Sequence, residues 1–150
     1  GLVPYGKIVD ADPSAPTLTF NTIARHQSRL VRTRVASNKS PWLAETQVGD
    51  IYTVPISHGE GRFYASDELI LQLAANGQIA TQYVDGDGDP TSDVHFNPNN
   101  SAFAGEGITS PDGRVFGKMG HAERKGYGLY KNVPGDLEIG MFRSAVKYFK

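Results

Sequence analysis

Apolar and polar residues alternate with period two over residues 29–36, where Val31, Thr33 and Val35 share one parity and Leu30, Arg32 and Arg34 the other. That period marks a strand with one polar face. Residues 17–20 read as a shorter strand. Residues 51–57, IYTVPIS, form an apolar β-type run that gives way to the Gly-rich HGEGR. Pro55 has no N–H to offer a neighbouring strand, so it assigns this run to an edge or a bulge. The period then changes. Ser66 is placed to cap a helix in which Asp67 and Glu68 suit the positive end, Leu69, Ile70, Leu73 and Ala74 make one apolar stripe, and Gly77 terminates. A strand returns over 79–84. Residues 85–101, DGDGDPTSDVHFNPNNS, are dense in turn formers and predict a long irregular loop. Residues 107–110 and 114–119 flank Pro111-Asp112-Gly113 as a β-hairpin. After Pro134-Gly135, Asp136 is read as the cap of a final helix. It carries Met141, Phe142, Ala145, Val146 and Phe149 at helical spacing, with Lys147 and Lys150 near its negative end.

Strands, hairpins and helices in this order predict one α/β domain over residues 1–150, with a mixed sheet and a C-terminal helix. A length of 150 residues is enough to bury a core. The net charge of -1 lacks the basic excess that nucleic acid or an anionic membrane surface would require. No run reaches the length of a membrane span, and no signal-peptide pattern opens the chain, so a cytoplasmic setting is expected. There is no cysteine, hence no disulfide and no thiolate metal site. The apolar, turn-like opening, Leu2-Val3-Pro4-Tyr5-Gly6, reads as a cut within a longer protein.

Several stretches carry candidate chemistry. Asp85, Asp87 and Asp89 alternate as in a calcium loop, but the sixth position is Pro90 and the twelfth Phe96, where Gly and a bidentate Glu are needed. His26, His58, His95 and His121 show no ligand spacing, and no metal site is predicted. Arg25, Arg29, Arg32 and Arg34 are read as a solvated or interdomain face. In SHGEGR, residues 57–62, two glycines around a Glu follow an apolar strand directly, a pattern shared by ligand-binding loops and bulged turns. His121 and Glu123 stand one residue apart just past the strand 114–119. A histidine held by a carboxylate is the base half of a nucleophilic catalyst. No serine sits in a G-x-S-x-G elbow. Either the pair is not catalytic, or its nucleophile lies outside the chain.

Together VPISHGEGRF (54–63), FNPNNS (96–101), GITSPDGRVFGKMGHAER (107–124) and GLYKNVPG (128–135) resemble the C-terminal glutaminase domain of phosphoribosylformylglycinamidine synthase, the large purine-pathway amidotransferase. LVPYGKI (2–8) is similar to the segment after that domain's nucleophile helix. FNTIARHQSR (20–29) is similar to its N-x-S-x-R-F-x-x-R stretch, with Asn21, Arg25 and Arg29 matching and His26 where an aromatic is usual. Two departures stand out: Ala122 where H-x-E often encloses Pro, and Asn100 where Gly often follows N-P-N. Asn tolerates positive φ better than most residues, so the second is conservative for the backbone.

The resemblance implies a partial class I glutamine amidotransferase domain of flavodoxin-like type. The nucleophilic cysteine and most of the oxyanion hole would lie before Gly1. His121 would be the general base, Glu123 its orienting group, and Ser57, His58, Gly59 and Glu60 the loop that contacts the glutamine backbone. The parent would hydrolyse glutamine and pass ammonia to a synthetase region that uses ATP and Mg, in one chain with the glutaminase; this portion would hold no cofactor. Its implied partners are glutamine and the rest of the parent chain. It is expected to be inactive alone and to self-associate through an uncovered apolar face. A stand-alone glutaminase subunit and a non-catalytic docking module are the alternatives.

Overall fold

The structure, a computed structural model, describes residues 15–150, so the stretch 2–8 lies outside it. The elements run β1 (Thr17–Thr19), β2 (Gln27–Val35), β3 (Ile51–His58), β4 (Arg62–Tyr64), α1 (Asp67–Ala75), β5 (Ile79–Tyr83), β6 (Gly105–Thr109), β7 (Phe116–Lys118) and α2 (Met141–Phe149). Five strands form an antiparallel sheet in the order β3-β2-β5-β6-β7, and β1 pairs separately with β4.

The sheet curls, and the chain beyond β7 returns to the free edge of β3. There His121 N donates to Pro55 O at 2.8 Å, and Thr53 N donates to Asp136 O at 2.7 Å. A strand residue points its N–H and C=O to the same side. Since the Pro55 carbonyl faces this edge, its missing N–H costs the β2–β3 ladder nothing. The edge position read from Pro55 therefore holds.

Val31, Val54, Ile56, Tyr83 and Ala104 fill the inside of the curl. On β2 the parity is as expected, with Val31, Thr33 and Val35 buried and Arg32 and Arg34 half-buried. Helix α1 closes another part of the core by setting Ile70 and Leu73 against Phe63, Ile79 and Ile108. Ser66 caps it by accepting from Leu69 N, and Gly77 ends it at a φ of +66°.

The long loop is held by arginines. Arg29 donates to the carbonyls of Val94 and His95, and Arg32 to those of Asp85 and Gly86. Arg29 and Arg32 therefore also act as loop clamps, and Arg29 has the parity of Val31. Asp85 turns its carboxylate inward to accept from the N–H groups of Asp87, Gly88 and Asp89.

Asp136 does not cap the last helix, contrary to expectation. It accepts from Glu138 N in a side-chain turn while its carbonyl covers the β3 edge. Helix α2 begins only at Met141, after Gly140 at a φ of +66°. Met141 and Ala145 are buried, and Ser144 Oγ accepts from Glu45 N. Phe142, Val146 and Phe149 stay about half exposed. A helix meeting its neighbour on only part of its apolar stripe leaves the remainder in water.

At Gly107 the β5–β6–β7 packing leaves no room for a side chain. An added Cβ would lie 2.5 Å from Thr81 Oγ1 and 2.8 Å from Phe116 Cε2. Gly107→Ala is expected to destabilise the fold by about 1–3 kcal/mol, the usual cost of overpacking a core, measured by chemical denaturation; an unchanged midpoint would contradict this packing.

Candidate active site

Two segments far apart in sequence meet at the end of β3. His121, fixed through its backbone to Pro55, stands beside the SHGEGR loop, which starts two residues beyond Pro55. Its Nδ1 lies 2.7 Å from Glu123 Oε1. An ionised carboxylate only accepts hydrogen bonds, so Nδ1 must carry the proton. In the neutral ring Nε2 then keeps its lone pair. Burial raises the Glu123 pKa, but its own backbone hydrogen bond, the His121 imidazole and Arg124 outweigh this and hold it below the ordinary carboxylate value. His121 has a side chain 31% exposed and Glu123 one 57% exposed, so the pair is open to solvent and to a substrate.

Asn21 builds the SHGEGR loop from beneath. It is buried; its Nδ2 donates to His58 O, its Oδ1 accepts from Gly61 N, and its own N–H donates to Gly59 O. Ser57 Oγ lies 3.0 Å from His26 Nε2, and the Glu60 side chain points into solvent. Of the two glycines, Gly61 is the one that needs to lack a side chain, because a Cβ there would overlap the His58 ring. A Cβ on Gly59 would meet nothing, which leaves the outer surface of the loop free.

The N-P-N stretch braces the other side. Asn99 Nδ2 lies 3.3 Å from His58 Nε2 and donates to Tyr83 Oη. Asn97 folds the loop by accepting from Ser101 N, and Ser101 Oγ donates to Gly61 O. Asn100 adopts a φ of +55°, the conformation its position after N-P-N predicts. Ala122 is buried in the cluster that includes Leu43, Ile139 and Met141.

Of the residues read as a site on the sequence, His121 pairs with Glu123, and His58 is near enough to His121 to feel its charge, while Glu60 is exposed. The sequence alone gives no role to Asn21, Asn99 or Glu106. Asn21 and Asn99 lie within stretches already notable for their motifs, and Glu106 is a single charge in the otherwise apolar and small run AFAGEGI. Among the described residues no three acidic or histidine side chains come together as a metal would require. No helix there is long and apolar enough to cross a membrane.

Burial lowers the His58 pKa from its ordinary 6.5, helped by His121 and His26 and opposed by its own backbone hydrogen bond and by Glu106. The folded state thus favours the neutral ring. Between the ordinary value and the lowered one, acid protonates the unfolded chain but not the folded one. Stability should therefore fall as pH drops below 6.5. Comparing urea midpoints across that window with those of His58→Gln tests this, and a variant that loses as much stability on acidification as the wild type would refute it.

Comparison with known proteins adds a family to this geometry. The family model of the CobB/CobQ-like glutamine amidotransferase domain matches residues 1–149. Phosphoribosylformylglycinamidine synthase subunit PurQ from Thermomicrobium roseum is 42% identical over 61% of this chain and 38% of the relative. The protein of that name from Methanococcus maripaludis is 32% identical over 97% of this chain and 57% of its own length. A chain in the structure of PurLQS from Thermotoga maritima superposes with a TM-score of 0.69 at 24% identity, over 99% of this chain and 57% of that one. The α/β fold with its curled antiparallel sheet and C-terminal helix is thus a known one, and the chain spans between about two fifths and three fifths of these relatives. On the match across residues 1–149, the chain belongs to the CobB/CobQ-like glutamine amidotransferase domain family.

Proposed function

We propose that this chain is the C-terminal portion of a glutaminase domain that releases ammonia from glutamine for phosphoribosylformylglycinamidine synthase. The observation that carries the reading is the His121–Glu123 pair, seated on the β3 edge beside SHGEGR, with Nε2 left as the basic nitrogen. The chain has no cysteine, so the thiol would come from residues preceding Gly1. In the first half-reaction that thiolate attacks the glutamine amide carbon, and protonated His121 gives its proton to the departing ammonia. In the second, neutral His121 takes a proton from water, which attacks the thioester, releases glutamate and restores the thiolate beside protonated His121. Glu123 stabilises the imidazolium in both. The SHGEGR loop, fixed by Asn21 and Asn99, would hold the glutamine backbone with its main-chain groups.

ATP and Mg2+ would be used by the synthetase region, and no step above runs through them. In this reading the parent would be a single chain carrying both regions. The second reading is a separate glutaminase subunit, favoured by the names of the Thermomicrobium roseum and Methanococcus maripaludis relatives, both PurQ subunits. By itself the 150-residue chain would hydrolyse no glutamine, for want of a thiol.

In the full-length parent, His121→Ala should lower glutamine-dependent synthesis at least about a hundredfold, the usual contribution of a positioned general base. Synthesis driven by free ammonia should be unchanged. Loss of both activities in a folded variant, or of neither, would remove His121 from this role. The half-exposed Phe142, Val146 and Phe149 of α2 should drive self-association of the isolated chain. Sedimentation is expected to show species larger than a monomer; a monomer at all concentrations would discard that expectation.

A further inference from the structure

Glu106 lies in β6 with 2% of its surface exposed, and the mechanism above does not use it. Its Oε1 accepts from Gly120 N and its Oε2 from Thr81 Oγ1, both at 2.5 Å. Lys118 Nζ, on a side chain 7% exposed, is 3.3 Å from Oε1. The Glu106 carbonyl accepts from Met119 N at 2.9 Å. Three consecutive amides are therefore tied down: Met119 and Gly120 to Glu106, and His121 to Pro55.

Sequestering a carboxylate and an ammonium costs several kcal/mol of solvation per ion, and a well-packed apolar pair of similar volume is often as stable. Core stability alone therefore gives no reason for this pair. What an apolar pair lacks is an acceptor for Gly120 N, and charge-assisted bonds of this kind are the strong ones. Gly120 fits the same account. A Cβ there would lie 2.5 Å from Val54 Cγ2 and 2.8 Å from Glu106 Oε1, so only glycine brings the backbone this close to the carboxylate.

We propose that Glu106 is a positioning residue for His121: through the Gly120 amide its buried carboxylate fixes the backbone from which the imidazole projects. Lys118 and Thr81 hold that carboxylate in place. The role of His121 as base rests on the function proposed above; the anchoring itself does not.

The test uses the full-length parent with three variants. Glu106→Leu/Lys118→Met removes the pair without leaving an unpaired charge. Glu106→Gln/Lys118→Met keeps an acceptor for Gly120 N. Glu106→Asp keeps the ion pair but withdraws the carboxylate by one methylene, so it serves if the apolar variant does not fold. Hydrogen exchange at the Gly120 amide and the kcat for glutamine against that for ammonia are measured in each. In the apolar and Asp variants Gly120 should exchange about tenfold faster or more, as a local opening no longer restrained. Glutamine-dependent kcat should fall about a hundredfold, the cost of misplacing a catalytic group by around 1 Å. Ammonia-dependent kcat should be unchanged, and the Gln variant should recover both losses.

Unchanged exchange at Gly120 in the folded variants would overturn the proposal, as would a Gln variant no better than the apolar one. A wild-type parent that hydrolyses no glutamine would instead refute the proposed function, and the Gly120 exchange rate would still decide the anchoring.

Discussion

The hydrogen bond from His121 N to Pro55 O closes the curled sheet, and the arrangement of the site depends on it. A five-stranded antiparallel sheet has two edges, and unpaired edges are exposed to unwanted pairing. Here the chain leaving β7 covers part of the β3 edge at Pro55, and Asp136 covers it at Thr53. Both contacts use the outward side of β3. The H-x-E segment reaches the SHGEGR loop because it serves as edge cover for the strand that leads into that loop.

Around this closure some polar groups are buried and paired, and others stay open to solvent. Asn21 gathers His58, Gly59 and Gly61 with one side chain and its own amide, while Asn99 reaches the His58 ring from the opposite side. Each is buried, and Asn21 hydrogen-bonds through both its Nδ2 and its Oδ1, as a buried amide side chain ordinarily must. The loop shape thus follows from satisfying Asn21. Glu123 and His121, in contrast, remain partly open to solvent. Burial pushes the Tyr83 phenol well above its ordinary value, and the charge of Glu106 adds to it, so Tyr83 stays neutral beneath the site.

The amide pins on residues 119–121 matter for the same reason. A general base must be held to within a fraction of an ångström, and a loop with only solvent-exposed contacts cannot do that. Placing the anchor on β6, a strand paired on both sides, ties the proposed base His121 to the interior of the sheet.

Local rules settled much of this protein from its sequence. The period-two pattern located β2, Ser66 and Gly77 bounded α1, Pro111-Asp112-Gly113 set the β6–β7 hairpin, and Pro55 put β3 on an edge. Residues separated by a single position, like His121 and Glu123, pair within a single turn, so their contact could also be read locally. The tertiary structure decided the rest. That Asp136 covers an edge instead of capping α2, that Arg29 and Arg32 clamp the long loop, and that Gly61 is the glycine in close contact all depend on partners distant in the chain. Glu106 is the clearest case: a charged residue in a strand is ordinarily solvent-facing, and only the curl that brings Thr81, Lys118 and Gly120 around it makes its burial affordable.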